Sequence, residues 1–90
     1  MIYLNIHHTV ADYAKWRAGF DANEATRRAA GATGVQQVYR DLENPGAIRI
    51  IMEWDNADKA RQFAHDPASA EAMKNAGVTG APEIRFLNRA

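Results

Sequence analysis

Gly34–Asp55, GVQQVYRDLENPGAIRIIMEWD, is the stretch whose reading decides the fold. Val35, Val38 and Tyr39 on one side and Ile48, Ile50, Ile51, Met52 and Trp54 on the other supply the β-branched and aromatic residues of two strands. Asn44-Pro45-Gly46 lies between them, with Pro45 suited to the first central position of a tight turn and Gly46 to a positive φ at the next. One strand and one long helix precede this hairpin, and helix followed by a strand comes after it.

Ninety residues allow one domain and one core, so residues 1–90 are expected to fold as a single unit. Apolar residues make up 47% and charged residues 24%, which places the chain with ordinary globular proteins rather than disordered ones. Eleven acidic side chains balance eleven basic ones, so no overall field would hold nucleic acid or an anionic membrane. The chain has no cysteine, which removes disulfides, thiolate nucleophiles and thiolate metal sites together. MIYLNIHHTV does not read as a signal peptide, and no apolar run approaches the roughly 20 residues that cross a bilayer. A cytoplasmic protein is the expectation.

Ile2–His8 reads as a strand, with Ile2, Leu4, Ile6 and His8 on the core face and Tyr3, Asn5 and His7 on the other. Thr9 and Asp12 resemble a capping box, and the helix is expected from about Val10 to Ala30. Tyr13, Trp16 and Phe20 recur on one face of it, and Asn23 and Arg27 continue the same stripe. Two readings stay open: this polar end overhangs the sheet into water, as a snorkelling Arg allows, or it projects into the mouth of a pocket. Ala14, Ala18, Ala22, Ala25 and Ala29 form the opposite side and suit an exposed face. Gly31 and Gly34 supply the left-handed stop.

Beyond the hairpin, Asp55 or Asn56 caps a short helix that turns Ala60, Phe63 and Ala64 inward. Asp66-Pro67 restarts a second segment, Ala68–Ala76, with Ala70, Met73 and Ala76 facing in and Gly77 at its end. Val78–Pro82 reads as a connection and Glu83–Asn88 as the last strand. The order βαββαβ with right-handed crossovers gives an α+β, ferredoxin-like fold: a four-stranded antiparallel sheet with its helices on one face.

Strand alternation leaves Tyr3, Asn5, His7, Arg49, Ile51, Glu53, Arg85 and Leu87 on the uncovered face, with Val38 added to its apolar part. That face is too apolar for scattered exposure, and a two-fold partner laying its sheet against it would cover it. A homodimer is expected; a half-polar free face is the alternative.

His7 and His8 point to opposite faces and cannot chelate one metal together, His65 stands alone, and no metal site is expected. His8 continues the core face near the sheet end where a pocket would open. Trp16, Phe20, Tyr39 and Trp54 suit the walls of a small-molecule cavity, or they simply form the core. For a planar ring ligand, His8, Asn23, Arg27 or His65 would supply the oriented polar groups. Glycine-rich phosphate loops and a Gly-x-Ser-x-Gly turn are absent, and Ser69, the only serine, reads as structural.

The run HHTVADYAKWRAGFDANEATRRAAGATG, then QVYRD, EWDNADKARQFAHDPASAEAMKNAGV and PEIRFL, resembles the small dimeric α+β barrel proteins of the antibiotic biosynthesis monooxygenase-like and polyketide cyclase-like group. The resemblance covers nearly the whole chain. It implies a ferredoxin-like protomer, a sheet-to-sheet dimer and a pocket between sheet and helices. Some members oxidise polycyclic aromatics with O2 and neither metal nor flavin, others cyclise polyketides, and related ones cleave haem. The haem-degrading members carry an axial histidine where this chain has Met73, and Asn5 is aimed at the dimer face, so haem cleavage is not implied. His65-Asp66-Pro67 resembles the Asp-Pro stretch of another branch associated with isomerase- or dehalogenase-like chemistry.

The expectation from residues and resemblance together is a cofactor-independent monooxygenase or cyclase acting on an aromatic or polyketide-like ligand. His8 or His65 would take a phenolic proton, and Arg27 or Asn23 would stabilise the oxyanion. The rival is a non-catalytic dimeric binding or accessory protein. An enzyme of this kind needs a cavity on the order of 300 Å3 or more, whereas the rival packs its aromatic residues tightly together.

Overall fold

The computed structural model describes residues 1–90. The elements run β1 (Ile2–Val10), α1 (Tyr13–Ala22), α2 (Glu24–Ala30), β2 (Ala32–Arg40), β3 (Ala47–Trp54), α3 (Ala57–His65), α4 (Pro67–Asn75) and β4 (Val78–Asn88). This is the βαββαβ order with each crossover divided into two helices. The sheet is antiparallel in the order β2-β3-β1-β4, so the first and third strands are central.

The central pair sets the two faces. Leu4 lies opposite Met52, Ile6 opposite Ile50 and His8 opposite Ile48, and all six are buried beneath the helices. Trp16 and Phe20 of α1 and Ala60 of α3 close the same core from above. The alanine side of the first two helices is exposed throughout, as its composition implies.

Several local expectations are corrected. The long helix does not start near Val10, because β1 continues to Val10 and the Thr9 hydroxyl lies 2.8 Å from that of Thr79 on β4. Asp12 is the N-cap instead, its Oδ1 accepting from the Lys15 amide at 3.2 Å. The helix also breaks at Asn23, whose φ and ψ of −94° and 6° leave the helical region. Of the two expected caps for α3, Asn56 is the one used, accepting from the Lys59 amide. Ala70 faces solvent, and α4 has no fully buried residue.

The hairpin turn is wider than a tight turn, spanning 41–46. Asp41 organises it, its Oδ1 accepting from the Glu43 and Asn44 amides. Gly46 does not take a positive φ. It is needed for closeness, since a Cβ there would stand 3.1 Å from the Val10 carbonyl oxygen, and its own carbonyl accepts from the Val10 amide at 2.8 Å. Gly31, at φ 129°, ends α2 as anticipated, whereas Gly34 belongs to an irregularity in β2.

Two further corrections concern the sheet. Val78–Pro82 is strand, with Thr9 opposite Thr79 and Val10 opposite Val78, because an edge strand tolerates the proline and a register shift takes up Gly80. Val38 lies opposite buried Ile50 and packs on the core, so Tyr39, opposite Arg49, occupies the open face in its place. Asn5 does belong to that face, but it is buried there and accepts from Arg49 Nη1 at 3.1 Å.

The two aromatic residues of the hairpin therefore differ sharply. Trp54 is wholly buried against Phe63, with ring centroids 5.1 Å apart, while Tyr39 is 53% exposed. Trp54→Ala should lower unfolding stability by about 3–5 kcal/mol through cavity creation, and Tyr39→Ala by clearly less, as read by urea denaturation at one protein concentration.

Candidate active site

Between sheet and helices lies a cavity of about 400 Å3, partly open to solvent. Its floor is Ile6, Ile50, Met52 and Ile84 from three strands, with His8 at the same level. One wall is Trp16, Gly19 and Phe20 of α1 continued by Arg27 of α2, with Asn23 at the joint. The facing wall comes from α3 and α4, including Phe63, Ala72, Met73 and Ala76.

The space exists because α4 presents short side chains. Ala68, Ala72 and Ala76 recur at the four-residue spacing that aligns them on one helix face, and all three border the cavity. At one end the two walls nearly touch: a Cβ on Gly19 would lie 3.2 Å from that of Ala76. The other end of the core is closed by Trp54, packed against Phe63.

The α1 wall is a continuous row of rings. His8 stands edge-on to Trp16 at 5.5 Å between centroids, Trp16 stacks on Phe20 at 5.0 Å, and the Arg27 guanidinium carbon sits 3.7 Å from the Phe20 ring centre. The break at Asn23 makes the last contact possible by turning α2 relative to α1. Asn23 Nδ2 donates to the Gly19 carbonyl at 3.1 Å, which holds the joint.

Arg27 is therefore no overhanging residue. It is buried, donating through Nη1 to the Phe20 carbonyl at 2.7 Å and through Nη2 to Glu24 Oε2 at 2.8 Å. Loss of water lowers its pKa from the usual guanidinium range, against the opposing effect of its Glu24 hydrogen bond.

His8 is buried too, and its Nδ1 has no hydrogen-bond partner. Burial holds its pKa below the ordinary 6.5, because the imidazolium would lose its hydration, and the neighbouring His7 adds slightly to that effect. A neutral imidazole facing an apolar cavity is in the protonation state a general base needs.

Five of the eight sequence-derived site residues thus come together: His8, Trp16, Phe20, Asn23 and Arg27. The other three lie outside the cavity. Tyr39 is on the opposite sheet face, Trp54 is sealed into the far end of the core, and His65 is exposed at the end of α3, its ring 6.3 Å from that of Phe86 on the β4 edge. Sequence reasoning missed Gly19 and the alanines of α4, whose spacing was the available signal, and Ser69 borders the cavity as well. No group of three or more His, Asp or Glu side chains is placed so that it could hold a metal ion.

No protein-family model matches the chain, and no curated protein matches it. Solved structures do. A proposed antibiotic biosynthesis monooxygenase from Bordetella bronchiseptica superposes with a TM-score of 0.80 at 18% identity, covering 99% of this chain and 96% of the other. Another from Caulobacter crescentus CB15 gives 0.74 at 20% identity, over 99% and 89%. SnoaB, a cofactor-independent oxygenase from Streptomyces nogalater, gives 0.72 at 17% identity, over 99% and 92%. The chain therefore has the α+β ferredoxin-like fold of antibiotic biosynthesis monooxygenase-like proteins.

The depressed His8 pKa fixes a pH dependence of stability. Above 6.5 the imidazole is neutral in both folded and unfolded chains; below it the unfolded chain takes up a proton that the folded one resists, so stability falls as pH drops through that value. Urea midpoints measured from about pH 7.5 down to about pH 5 should show this loss, and His8→Gln should flatten the part that His8 contributes.

Proposed function

We propose that the protein is a cofactor-independent monooxygenase or cyclase acting on an aromatic or polyketide-like molecule bound in this cavity. The observation that carries the reading is the open space of about 400 Å3 between an aromatic wall and an alanine-lined one, with His8 at its edge. A chain built only for structure or assembly would fill such a space, since interiors pack as densely as organic crystals. The likeness to SnoaB, itself a cofactor-independent oxygenase, supports the chemistry.

In this reading Trp16 and Phe20 orient the ring and exclude water. His8 takes the phenolic or enolic proton, leaving an electron-rich anion in a poorly solvated site. That anion reacts with O2, one oxygen atom ending in the ring as a carbonyl and the other leaving as water with the hydrogens removed. In a cyclase the same anion would instead close a carbon–carbon bond. Asn23 or Arg27, farther along the wall, stabilises negative charge on the ligand. His65, outside the cavity, takes no part.

Ala72→Phe provides a direct test, because it fills the cavity from a partly buried position without cutting into the core. It should abolish oxygen consumption or cyclisation with any substrate the wild type turns over, while keeping the wild-type circular dichroism. His8→Phe should lower turnover by about 100-fold or more, the range general-base removal costs. Full activity in both variants would overturn the reading.

The working unit in this proposal is a homodimer joined through the open sheet face. Half-buried Ile51 and 42%-exposed Leu87 give that face an apolar centre and margin, and Tyr3, Arg49, Glu53 and Arg85 surround them. Light scattering should return twice the 10.0 kDa chain mass for the wild type, and Ile51→Glu should reduce it to one. A wild-type monomer at micromolar concentration would contradict the assembly.

A further inference from the structure

Three buried side-chain nitrogens have no hydrogen-bond partner: Trp54 Nε1, His8 Nδ1 and Arg27 Nε. The first lies in the sealed end of the core. The other two belong to residues on the cavity wall, one at each end of the Trp16–Phe20 stack. Proton abstraction accounts for His8, but nothing in the molecule accounts for Arg27.

Arg27 is 4% exposed, and a guanidinium so far out of water normally satisfies its donors on a desolvated carboxylate. Its only carboxylate partner, Glu24, is 36% exposed on the side chain and so partly screened by solvent. Glu24 also takes only Nη2, while the adjacent Nε is left unused. The Nε–Nη2 edge is the one that grips a planar carboxylate with two parallel hydrogen bonds. Glu24 itself stands outside the cavity lining, and Asp66, the one acid on the wall, is exposed and makes no ion pair with Arg27.

Resting on the reading of this cavity as a small-molecule site, we infer that its ligand is an aromatic carboxylic acid. The carboxylate takes the Nε–Nη2 edge of Arg27 once Glu24 swings aside and uncovers it, the ring lies along Trp16 and Phe20, and the ionisable hydroxyl reaches His8 at the far end. Glu24 is a placeholder: it half-neutralises the guanidinium in the free protein and yields to the ligand, as its exposure allows. Lys59 also lines the cavity, but its side chain is half exposed and its ammonium stands 4.0 Å from Asp55, so the buried guanidinium is the stronger anchor for a planar charge.

The test uses the full chain and two probes. One is a hydroxynaphthoate with its hydroxyl and carboxylate on opposite rings; the other is its uncharged carboxamide. Trp16 lines the cavity, so quenching of tryptophan fluorescence reports occupancy. The acid should bind about tenfold tighter than the amide, the worth of a hydrogen bond to a charged group. Arg27→Gln should erase that preference. Glu24→Gln, at a partly exposed position that does not endanger folding, should enlarge it by removing the competing carboxylate. Equal binding of acid and amide, or weaker acid binding in Glu24→Gln, overturns the inference and leaves the small-molecule reading standing. Binding of neither probe counts against both.

Discussion

The alternation of β1 between two faces, locked by antiparallel neighbours on both sides, is the constraint on which the rest of the structure depends. Because β3 and β4 hold this strand in register, Leu4, Ile6 and His8 must point to the helices and Tyr3, Asn5 and His7 away from them. A one-residue slip would put Ile6 in the open face and His7 in the cavity. The position of His8 is thus fixed by the same hydrogen bonds that build the core. A site formed on a central strand inherits the rigidity of the sheet.

The helices obey a looser rule. Trp16, Phe20 and Arg27 belong to one stripe, but the helix that carries them is interrupted between Phe20 and Arg27. The departure at Asn23 bends the chain so that the guanidinium returns over the ring of Phe20 and bonds the carbonyl of that residue. An aromatic stripe with a polar end is therefore not a defect of amphipathicity. It is one wall of a cavity whose apolar half faces the sheet and whose charged half faces whatever enters.

Period-two alternation made the central strands and their inward residues legible, and the element order made the fold legible with them. What escaped has identifiable causes. The Val38–Tyr39 assignment depends on how many residues the hairpin loop uses, and Asp41 widens that loop with side-chain hydrogen bonds that no hydropathy pattern records. Val78–Pro82 looked like a connection because Gly and Pro ordinarily interrupt strands, yet β4 lies at an edge where both are permitted. Trp54 and Tyr39 looked alike as aromatic residues of one hairpin, and only the sheet register separates a sealed core residue from an exposed one. Asn23, Arg27 and His8 were legible as candidates because each broke an otherwise apolar pattern.

The cavity itself is the least legible feature, since it is defined by what the side chains leave unfilled. Ala72, partly buried at the middle of this row, could be replaced by a larger apolar residue that would bury more surface, at roughly 25 cal/mol for each Å2 taken out of water. Instead α4 has no fully buried residue, so the helix contributes little to the core that it covers. The same region leaves His8 Nδ1 and Arg27 Nε without partners, although each such group costs about 1–3 kcal/mol when buried. Unused apolar burial and unsatisfied polar atoms both oppose stability, and here they occur in residues that line one space. Packing alone gives no reason for that coincidence. Occupancy by the proposed ligand would supply one, because a ring would complete the contacts that α4 forgoes.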